Sequence, residues 1–146
     1  MIEYSLETLN ACDFAPFGTI IEHGFDTPTG RDFQIVVSAH STGWTIGILE
    51  LAQNIAPYLE RHLYSQESHE PLSGTSIIIV ATPEAPENFR MFLLDKPVCL
   101  KEGIWHQVMA ISEKAVIKVV ENLDVSSKNS ETREFPGNIK LKIAFD

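Results

Sequence analysis

Basic residues are scarce in this sequence. It has 11 Lys and Arg against 20 Asp and Glu, which gives a formal net charge of −9. Proteins that bind the phosphate backbone of nucleic acids need a surplus of positive charge, so this class of partner is excluded. The net field also repels small anions, so an anionic substrate must be attracted by a local positive pocket.

Cysteine and long apolar runs are also scarce. The two cysteines, Cys12 and Cys99, are too few for a disulfide framework, and we predict two free thiols. Residues 1–5 have neither the basic region nor the apolar stretch of a signal peptide. The longest apolar run, Ile77 to Ala81, is far too short to span a membrane. We therefore expect a cytoplasmic protein with no membrane partner.

Several familiar catalytic sequence patterns are missing. The chain has no glycine-rich phosphate loop, no Gly-x-Ser-x-Gly, no Cys-x2-Cys and no His-Glu-x2-His. Their absence weakens nucleotide-binding, acyl-enzyme, zinc-knuckle and metalloprotease interpretations.

What the chain does have is a series of short segments rich in β-branched and aromatic residues, separated by turn residues. This pattern predicts one all-β domain over residues 1–146, a barrel or sandwich, with a helical turn from Asn10 to Phe14. We expect the strands Tyr58–Leu63 and Glu67–Leu72 to pair with each other. Residues 124–138 are expected to form a polar excursion at the surface, and a last strand is expected within 139–145. The other predicted strands are Thr19–Glu22, Phe33–Ala39, Trp44–Leu51, Thr75–Thr82, Phe89–Leu94, Ile104–Ile111 and Ala115–Glu121.

Two segments contain the residues suited to chemistry, with the spacings Glu-x-His-x4-Glu-x6-Gly and Gly-x2-His. Side chains alternate along a strand, so the first Glu and His of the longer segment point to one face. A polar pair on one face of a buried strand is typical of a barrel that holds a ligand. The residues are Glu60, His62, Glu67 and Gly74 in the first segment and Gly103 and His106 in the second.

Two histidines and a carboxylate are a known ligand set for a divalent metal with open positions. We predict His62, Glu67 and His106 as metal ligands, and Mn, Fe, Co, Ni or Zn all suit them. Glu60 is a fourth ligand, a general base, or a partner that orients a metal-bound imidazole.

The same spacing resembles the two sequence motifs of cupins, which implies a double-stranded β-helix barrel. Glu60 stands where cupins usually have a histidine. Within that superfamily, an ordered set of segments between about Leu9 and Val120 resembles the ureidoglycolate lyase family. These segments are Phe14-Ala15-Pro16-Phe17-Gly18, Glu60-Arg61-His62, Pro71-Leu72 and Gly103-Ile104-Trp105-His106.

This resemblance implies an enzyme that splits ureidoglycolate into glyoxylate and urea, a step in allantoin breakdown. A base would remove the hydroxyl proton, and an acid would protonate the departing urea. We predict Glu60 or Glu67 as the base, and His106 or His62 as the acid or a metal ligand. The family resemblance further implies a homodimer.

Three more residues are candidates for contact with the small anionic substrate. Arg31 or Lys101 would hold its carboxylate, since a guanidinium can grip a carboxylate through two hydrogen bonds. Trp105, beside His106, is a candidate for stacking, although alternation along a strand places it opposite His106.

Two other functions remain open. The family usually has Gln at the position of Glu67, and the carboxylate here favours a metal-dependent cupin of another class, such as a sugar isomerase or a dioxygenase. A non-catalytic cupin that binds a small molecule is the other alternative. His23, His40 and His69 have no partner spacing and are expected to be structural, although His69 shares strand parity with Glu67.

Overall fold

A computed structural model describes residues 4–24, 33–52, 55–126, 128–135 and 141–142. The described residues form one short helix and thirteen strands. In chain order they are β1 (Leu6–Glu7), α1 (Ala11–Phe14), β2 (Gly18–Ile20), β3 (Trp44–Leu51), β4 (Ile55–Ala56), β5 (Tyr58–His62), β6 (Glu67–Ser73), β7 (Ser76–Ala81), β8 (Arg90–Leu93), β9 (Val98–Leu100), β10 (Trp105–Ala110), β11 (Ala115–Asn122), β12 (Ser130–Glu134) and β13 (Leu141–Lys142).

The strands form two main sheets. One has six strands in the order β1-β8-β7-β10-β5-β12, and the other has five in the order β2-β9-β6-β11-β3. The strands β13 and β4 form a separate pair. Every described pairing is antiparallel except that of β1 with β8. The all-β fold that the sequence predicts is confirmed.

Apolar side chains fill the space between the sheets and also cover the outer face of the six-stranded sheet. Strand β7 shows why the run Ile77–Ala81 is continuously apolar. Ile78 and Val80 belong to the inner cluster, while Ile77, Ile79 and Ala81 belong to the outer one. A strand buried on both faces has no position that favours a polar residue.

The local signals at the start of the chain and in the β6–β7 turn are confirmed. The side chain of Asn10 caps helix α1 by accepting a hydrogen bond from the backbone N–H of Asp13 at 2.9 Å. Between β6 and β7, Gly74 has a φ of +71°, a conformation that favours glycine.

Three predictions about strands are wrong. Phe33–Ala39 forms no strand, since it has no ladder partner, and Phe33 and Ile35 remain largely exposed. Strands β5 and β6 do not pair, because β5 joins the six-stranded sheet and β6 the five-stranded one. The polar stretch 124–138 includes β12, which pairs with β5. Of the strand predicted within 139–145, only β13 is described, and the rest lies outside the described residues.

The described part of the chain contains no helix long and apolar enough to cross a membrane.

Candidate functional site

Four strands bring six titratable side chains to one region between the sheets. Strands β5 and β10 supply one wall, β6 and β11 the other. His106 is the register partner of Glu60, and Glu67 is the register partner of Glu121, so each pair faces the same side of its sheet. The six residues are Glu60, His62, Glu67, His69, His106 and Glu121.

Glu67 lies at the centre of this cluster and is only 7% exposed. Its Oε2 is 2.9 Å from Nε2 of His106 and 3.1 Å from Nε2 of His62. Its Oε1 is 3.4 Å from Nε2 of His69. One carboxylate therefore faces three imidazoles.

The far nitrogens of two of these imidazoles have other partners. Nδ1 of His106 donates to the backbone carbonyl of Ile104 at 3.0 Å, since a carbonyl can only accept. Nδ1 of His62 is 2.8 Å from Oγ of Ser130 on β12. Both rings are thereby oriented so that Nε2 points towards Glu67, the role that outer partners play at metal-bound histidines.

The contact between Glu67 and His106 is close but poorly aligned. Oε2 of Glu67 and Nε2 of His106 are both buried, and neither has a properly oriented hydrogen-bond partner among the described residues. Such orphaned buried atoms call for an explanation, and a bound ion is one of the standard ones. Two imidazole nitrogens within 3.1 Å of one carboxylate oxygen fit a metal held by His62, His106 and Glu67.

The proximity of charges shifts the protonation of this cluster. Burial alone would raise the pKa of Glu67, but the charge and close contact of His106, with His62 and His69, hold it well below its usual range. Burial alone would lower the pKa of His106, but the neighbouring Glu67 outweighs it and raises this pKa to about 9. The close contact of its ring with the carboxylate of Glu67 also raises the pKa of His62.

The pKa values of His69 and Glu121 are shifted in the directions that favour the neutral forms of both side chains. Complete burial, which the attraction of Glu67 only partly offsets, lowers the pKa of His69 to about 4. Partial burial and the charge of Glu67 raise the pKa of Glu121. The cluster therefore combines a firmly ionised central carboxylate with a neutral imidazole on one side.

Two residues predicted to contact the substrate have other partners. Trp105 points to the opposite face of β10, where it packs in the outer apolar cluster with the guanidinium of Arg61 4.6 Å from its ring centre, so it does not face the cluster. Lys101 donates from Nζ to the carbonyl of Ala15 at 2.7 Å, and its contact with the substrate stays a prediction. Arg31 lies outside the described residues.

The cysteines play no part in the cluster. Both are free, as predicted, with Cys12 exposed and Cys99 buried. Burial, reinforced by the charge of Glu67, raises the pKa of Cys99 to about 11, so it remains a thiol and is a poor nucleophile.

Sequence reasoning missed three members of this site. His69 was expected to be structural, although its strand parity with Glu67 was the available signal. Glu121 had no signal of its own, because only the register of β11 against β6 places it opposite Glu67. Ser130 lies in the stretch predicted to be a surface excursion, and no local pattern connects it to His62.

Comparison with solved structures confirms the predicted cupin-like fold. The chain is similar to a dTDP sugar isomerase from Desulfovibrio desulfuricans G20, with 12% identity, a TM-score of 0.55, and coverage of 79% of this chain and 73% of that one. It is also similar to RmlC from Streptococcus suis, solved with dTDP-D-xylose, at 11% identity, a TM-score of 0.50 and coverage of 59% and 47%. A third similar structure is a TDP-fucose-3,4-ketoisomerase from Campylobacter jejuni. Its identity is 17% and its TM-score 0.50, with coverage of 60% of this chain and 65% of that one.

At these identities the likeness concerns the fold alone. The chain spans less than two thirds of the length of the second and third of these proteins. A comparison with curated proteins finds no significant match. The family model described as ureidoglycolate lyase matches residues 50–142, which is more than half of the chain and contains the whole His and Glu cluster. The chain therefore belongs to the ureidoglycolate lyase family.

Proposed function

We propose that this protein is a metal-dependent ureidoglycolate lyase. The observation that supports it best is the buried convergence of His62, His106 and Glu67 within the residues that the family model matches. These three residues would hold a divalent ion of the first transition series. When bound, such an ion would act as a Lewis acid towards the oxygen atoms of the substrate.

The proposed reaction needs one proton to move from oxygen to nitrogen. Ureidoglycolate carries a hydroxyl and an amide nitrogen on the carbon beside its carboxylate. Removal of the hydroxyl proton allows the C–O bond to become a carbonyl while the C–N bond breaks, and the nitrogen takes up the proton. Glyoxylate and urea result, and the atoms balance with no other reactant.

Glu60 is suited to carry that proton in both directions. Its side chain is 37% exposed, so substrate can reach it, and Oε1 is 3.9 Å from Nε2 of His106. As a carboxylate it accepts the hydroxyl proton, and as a carboxylic acid it returns that proton to the leaving nitrogen.

His106 cannot serve as both a metal ligand and the acid. Its Nδ1 is committed to the carbonyl of Ile104, so Nε2 is the only ring nitrogen free for either role. In a metal-dependent enzyme Nε2 would be a ligand, and it would have to give up the proton that the raised pKa of His106 otherwise retains. A metal-free lyase would instead use His106 as the acid.

Charge at the site also favours a metal. Within the described residues, the ion-pair partners of Glu60, Glu67 and Glu121 are all histidines. A substrate carboxylate therefore meets a surplus of negative charge unless a cation is present. A bound ion would supply that charge, with Arg31 as a second candidate.

The experiment is a measurement of glyoxylate release from ureidoglycolate by the purified protein, after chelation and after addition of Mn²⁺, Fe²⁺, Co²⁺, Ni²⁺ or Zn²⁺. We expect activity that is lost on chelation and restored by a metal. Glu60→Gln should lower kcat by about 10²–10⁴, whereas Glu113→Gln, at an exposed position, should not change it. Full activity after chelation would favour His106 as the acid, and no release under any condition would refute the lyase proposal.

The second candidate is a metal-dependent cupin enzyme of another class, which the carboxylate of Glu67 favours. A carboxylate completes the two-histidine and one-carboxylate set of open-site metal enzymes better than an amide does. The structural neighbours include sugar nucleotide isomerases by name, so 4-keto sugar nucleotides are the substrates to try. Isomerisation of such a sugar that Glu67→Gln abolishes, with no glyoxylate release by the parent, would establish this candidate.

We also propose that the protein is a cytoplasmic homodimer that pairs through β3. Within the described ranges no strand pairs with the outer edge of β3, and Trp44, Ile46 and Ile48 are 56–63% exposed on one face. A long apolar edge strand is a template for pairing with another chain. An antiparallel pairing centred on Gly47 would place Ile46 opposite Ile48 of the partner subunit.

A further inference from the structure

Glu121 is a carboxylate that the proposed reaction does not use. It lies on β11 directly opposite Glu67 on β6, and its side chain is 28% exposed against 8% for that of Glu67. Like charges directly opposite each other on adjacent strands destabilise a sheet. Two carboxylates in these positions therefore require a compensating positive group.

The neighbouring side chains provide too little positive charge for two carboxylates. Nε2 of His62 is 3.1 Å from Oε2 of Glu67 and 3.7 Å from Oε2 of Glu121. The other ring nitrogen of His62 is engaged by Ser130. A single Nε2 thus faces two carboxylates, and it can donate only one proton.

A second observation points to a ligand at the same place. Oε2 of Glu67, the oxygen that faces His62, is buried and lacks an aligned hydrogen-bond partner. One ligand atom each from His62, Glu67 and Glu121 lie within 4.8 Å of one another. A cation among these three atoms would offset the repulsion and satisfy the orphaned oxygen.

Glu60 and Glu121 are not equivalent in this respect. The group with Glu60 contains His62 and His106 and lacks Glu67, whereas the group with Glu121 contains His62 and Glu67 and lacks His106. Glu60 approaches from the six-stranded sheet and Glu121 from the five-stranded sheet, beside Glu67. The position of Glu121 therefore matches a ligand that shares an ion with Glu67 and His62, and Glu60 keeps the proton-transfer role that the proposed reaction gives it.

We propose that Glu121 is a ligand of the metal, together with His62, His106 and Glu67, and that Glu60 is not. This inference rests on the proposed metal site and defines its donor set as two imidazoles and two carboxylates. Such a set suits divalent ions of the Mn²⁺, Fe²⁺, Co²⁺ and Zn²⁺ type and disfavours Cu⁺, which selects sulfur ligands.

The test is Co²⁺ binding to the metal-free protein, followed by calorimetry and by the visible absorption of the bound ion, which reports its ligands. Glu121→Gln should weaken Co²⁺ binding by at least ~10-fold, the lower end of what loss of even an outer-shell partner costs, and should alter the spectrum. Glu60→Gln should weaken Co²⁺ binding less than Glu121→Gln does, and the control Glu113→Gln should leave binding and spectrum unchanged. Thermal melting of each metal-free variant shows whether it is folded.

Each outcome decides between the two proposals. No Co²⁺ binding by the parent would refute the metal site itself. Binding by the parent that Glu121→Gln leaves unchanged would overturn the role of Glu121 alone, as would equal losses in Glu121→Gln and Glu60→Gln. Should Glu121→Gln not fold, Glu121→Asp replaces it. Its carboxylate is withdrawn by one carbon, so unchanged Co²⁺ binding would count against the inference in the same way.

Discussion

The backbone N–H of Gly103 donates a hydrogen bond to the carbonyl of His62, with an N···O distance of 2.8 Å. This bond joins the two sequence segments that supply the histidines, since Gly103 begins the turn into β10 and His62 ends β5. The turn requires a φ of +76° at Gly103. The position of His106 relative to His62 therefore depends on a backbone conformation that favours glycine.

Replacement of the two glycines with positive φ should give unequal losses of stability. At Gly103 an added Cβ would meet only Cγ of Pro83, at 3.6 Å, so Gly103→Ala carries only the conformational cost, about 1–2 kcal/mol. At Gly74 the Cβ would lie 2.1 Å from the carbonyl oxygen of Lys114, a backbone atom that cannot move aside cheaply. Urea unfolding of both variants should show the larger loss for Gly74→Ala, and equal losses would contradict this account.

Metal content should depend on the residue that orients His62 as well as on His62 itself. We expect His62→Ala to abolish metal binding, and Ser130→Ala to weaken it by about 10-fold because the ring loses its Nδ1 partner. Elemental analysis and a competition titration with a chelator measure the two effects. His40→Ala removes an exposed histidine and is the control. Metal content in His62→Ala equal to that of the parent would show that the ion lies elsewhere.

Acid should destabilise the metal-free protein through His69. Its folded pKa of about 4 lies below the ordinary 6.5, so between these values the unfolded chain binds a proton that the folded protein does not. The free energy of unfolding should therefore fall as the pH drops from about 6.5 to about 4, by up to about 3 kcal/mol for a shift of this size. His69→Gln should flatten this part of the profile.

Among the other site residues, Glu121 has a raised pKa, so its protonation in the folded protein opposes the effect of His69 just above the ordinary value of 4.5. His62 and His106 have raised pKa values, so well below pH 6.5 they are protonated in both states. Glu67, whose folded pKa is lowered, loses its stabilising effect only below the ordinary value of 4.5. An unchanged slope between pH 6.5 and 4.5 in His69→Gln would show that His69 is not buried in its neutral form.

The proposed dimer should be sensitive to charge on β3. Ile46→Lys would place two ammonium groups near the centre of the pairing, one from each copy, and we expect a monomer in sedimentation velocity. Leu72→Lys is the matched control, because Leu72 is 50% exposed but lies on β6, inside the sheet order rather than at its edge. A parent protein that sediments as a monomer would refute the dimer.

The parts of the site that could be predicted from the sequence are those that local periodicity controls. Alternation places Glu60 and His62 on one face of β5 and Arg61 on the other, where it pairs with Glu131 at 2.6 Å. The same rule separates Trp105 from the site. The face to which each of these side chains points depends only on the presence of a strand. It does not depend on which strands lie beside it.

The parts that could not be predicted depend on which strands are neighbours. Glu121 becomes a site residue only through the pairing of β11 with β6, and Ser130 only through that of β12 with β5. The prediction of a strand at Phe33–Ala39 is wrong for the opposite reason. Its composition suits a strand, but no described strand pairs with it. Strand order is a property of the whole chain, and one sequence without relatives does not reveal it.

Burial of both faces of β7 has a consequence for the durability of the site. Strand β10, which supplies His106, lies between β7 and β5 in the centre of the doubly covered sheet. Glu121 comes instead from β11, beside β3, which ends the order of the five-stranded sheet among the described residues. In a subunit that is not yet paired through β3, local opening of β3 would reach the second carboxylate before it reaches the imidazole. Substitutions on the Glu121 side of the site should therefore cost less stability than substitutions at His106.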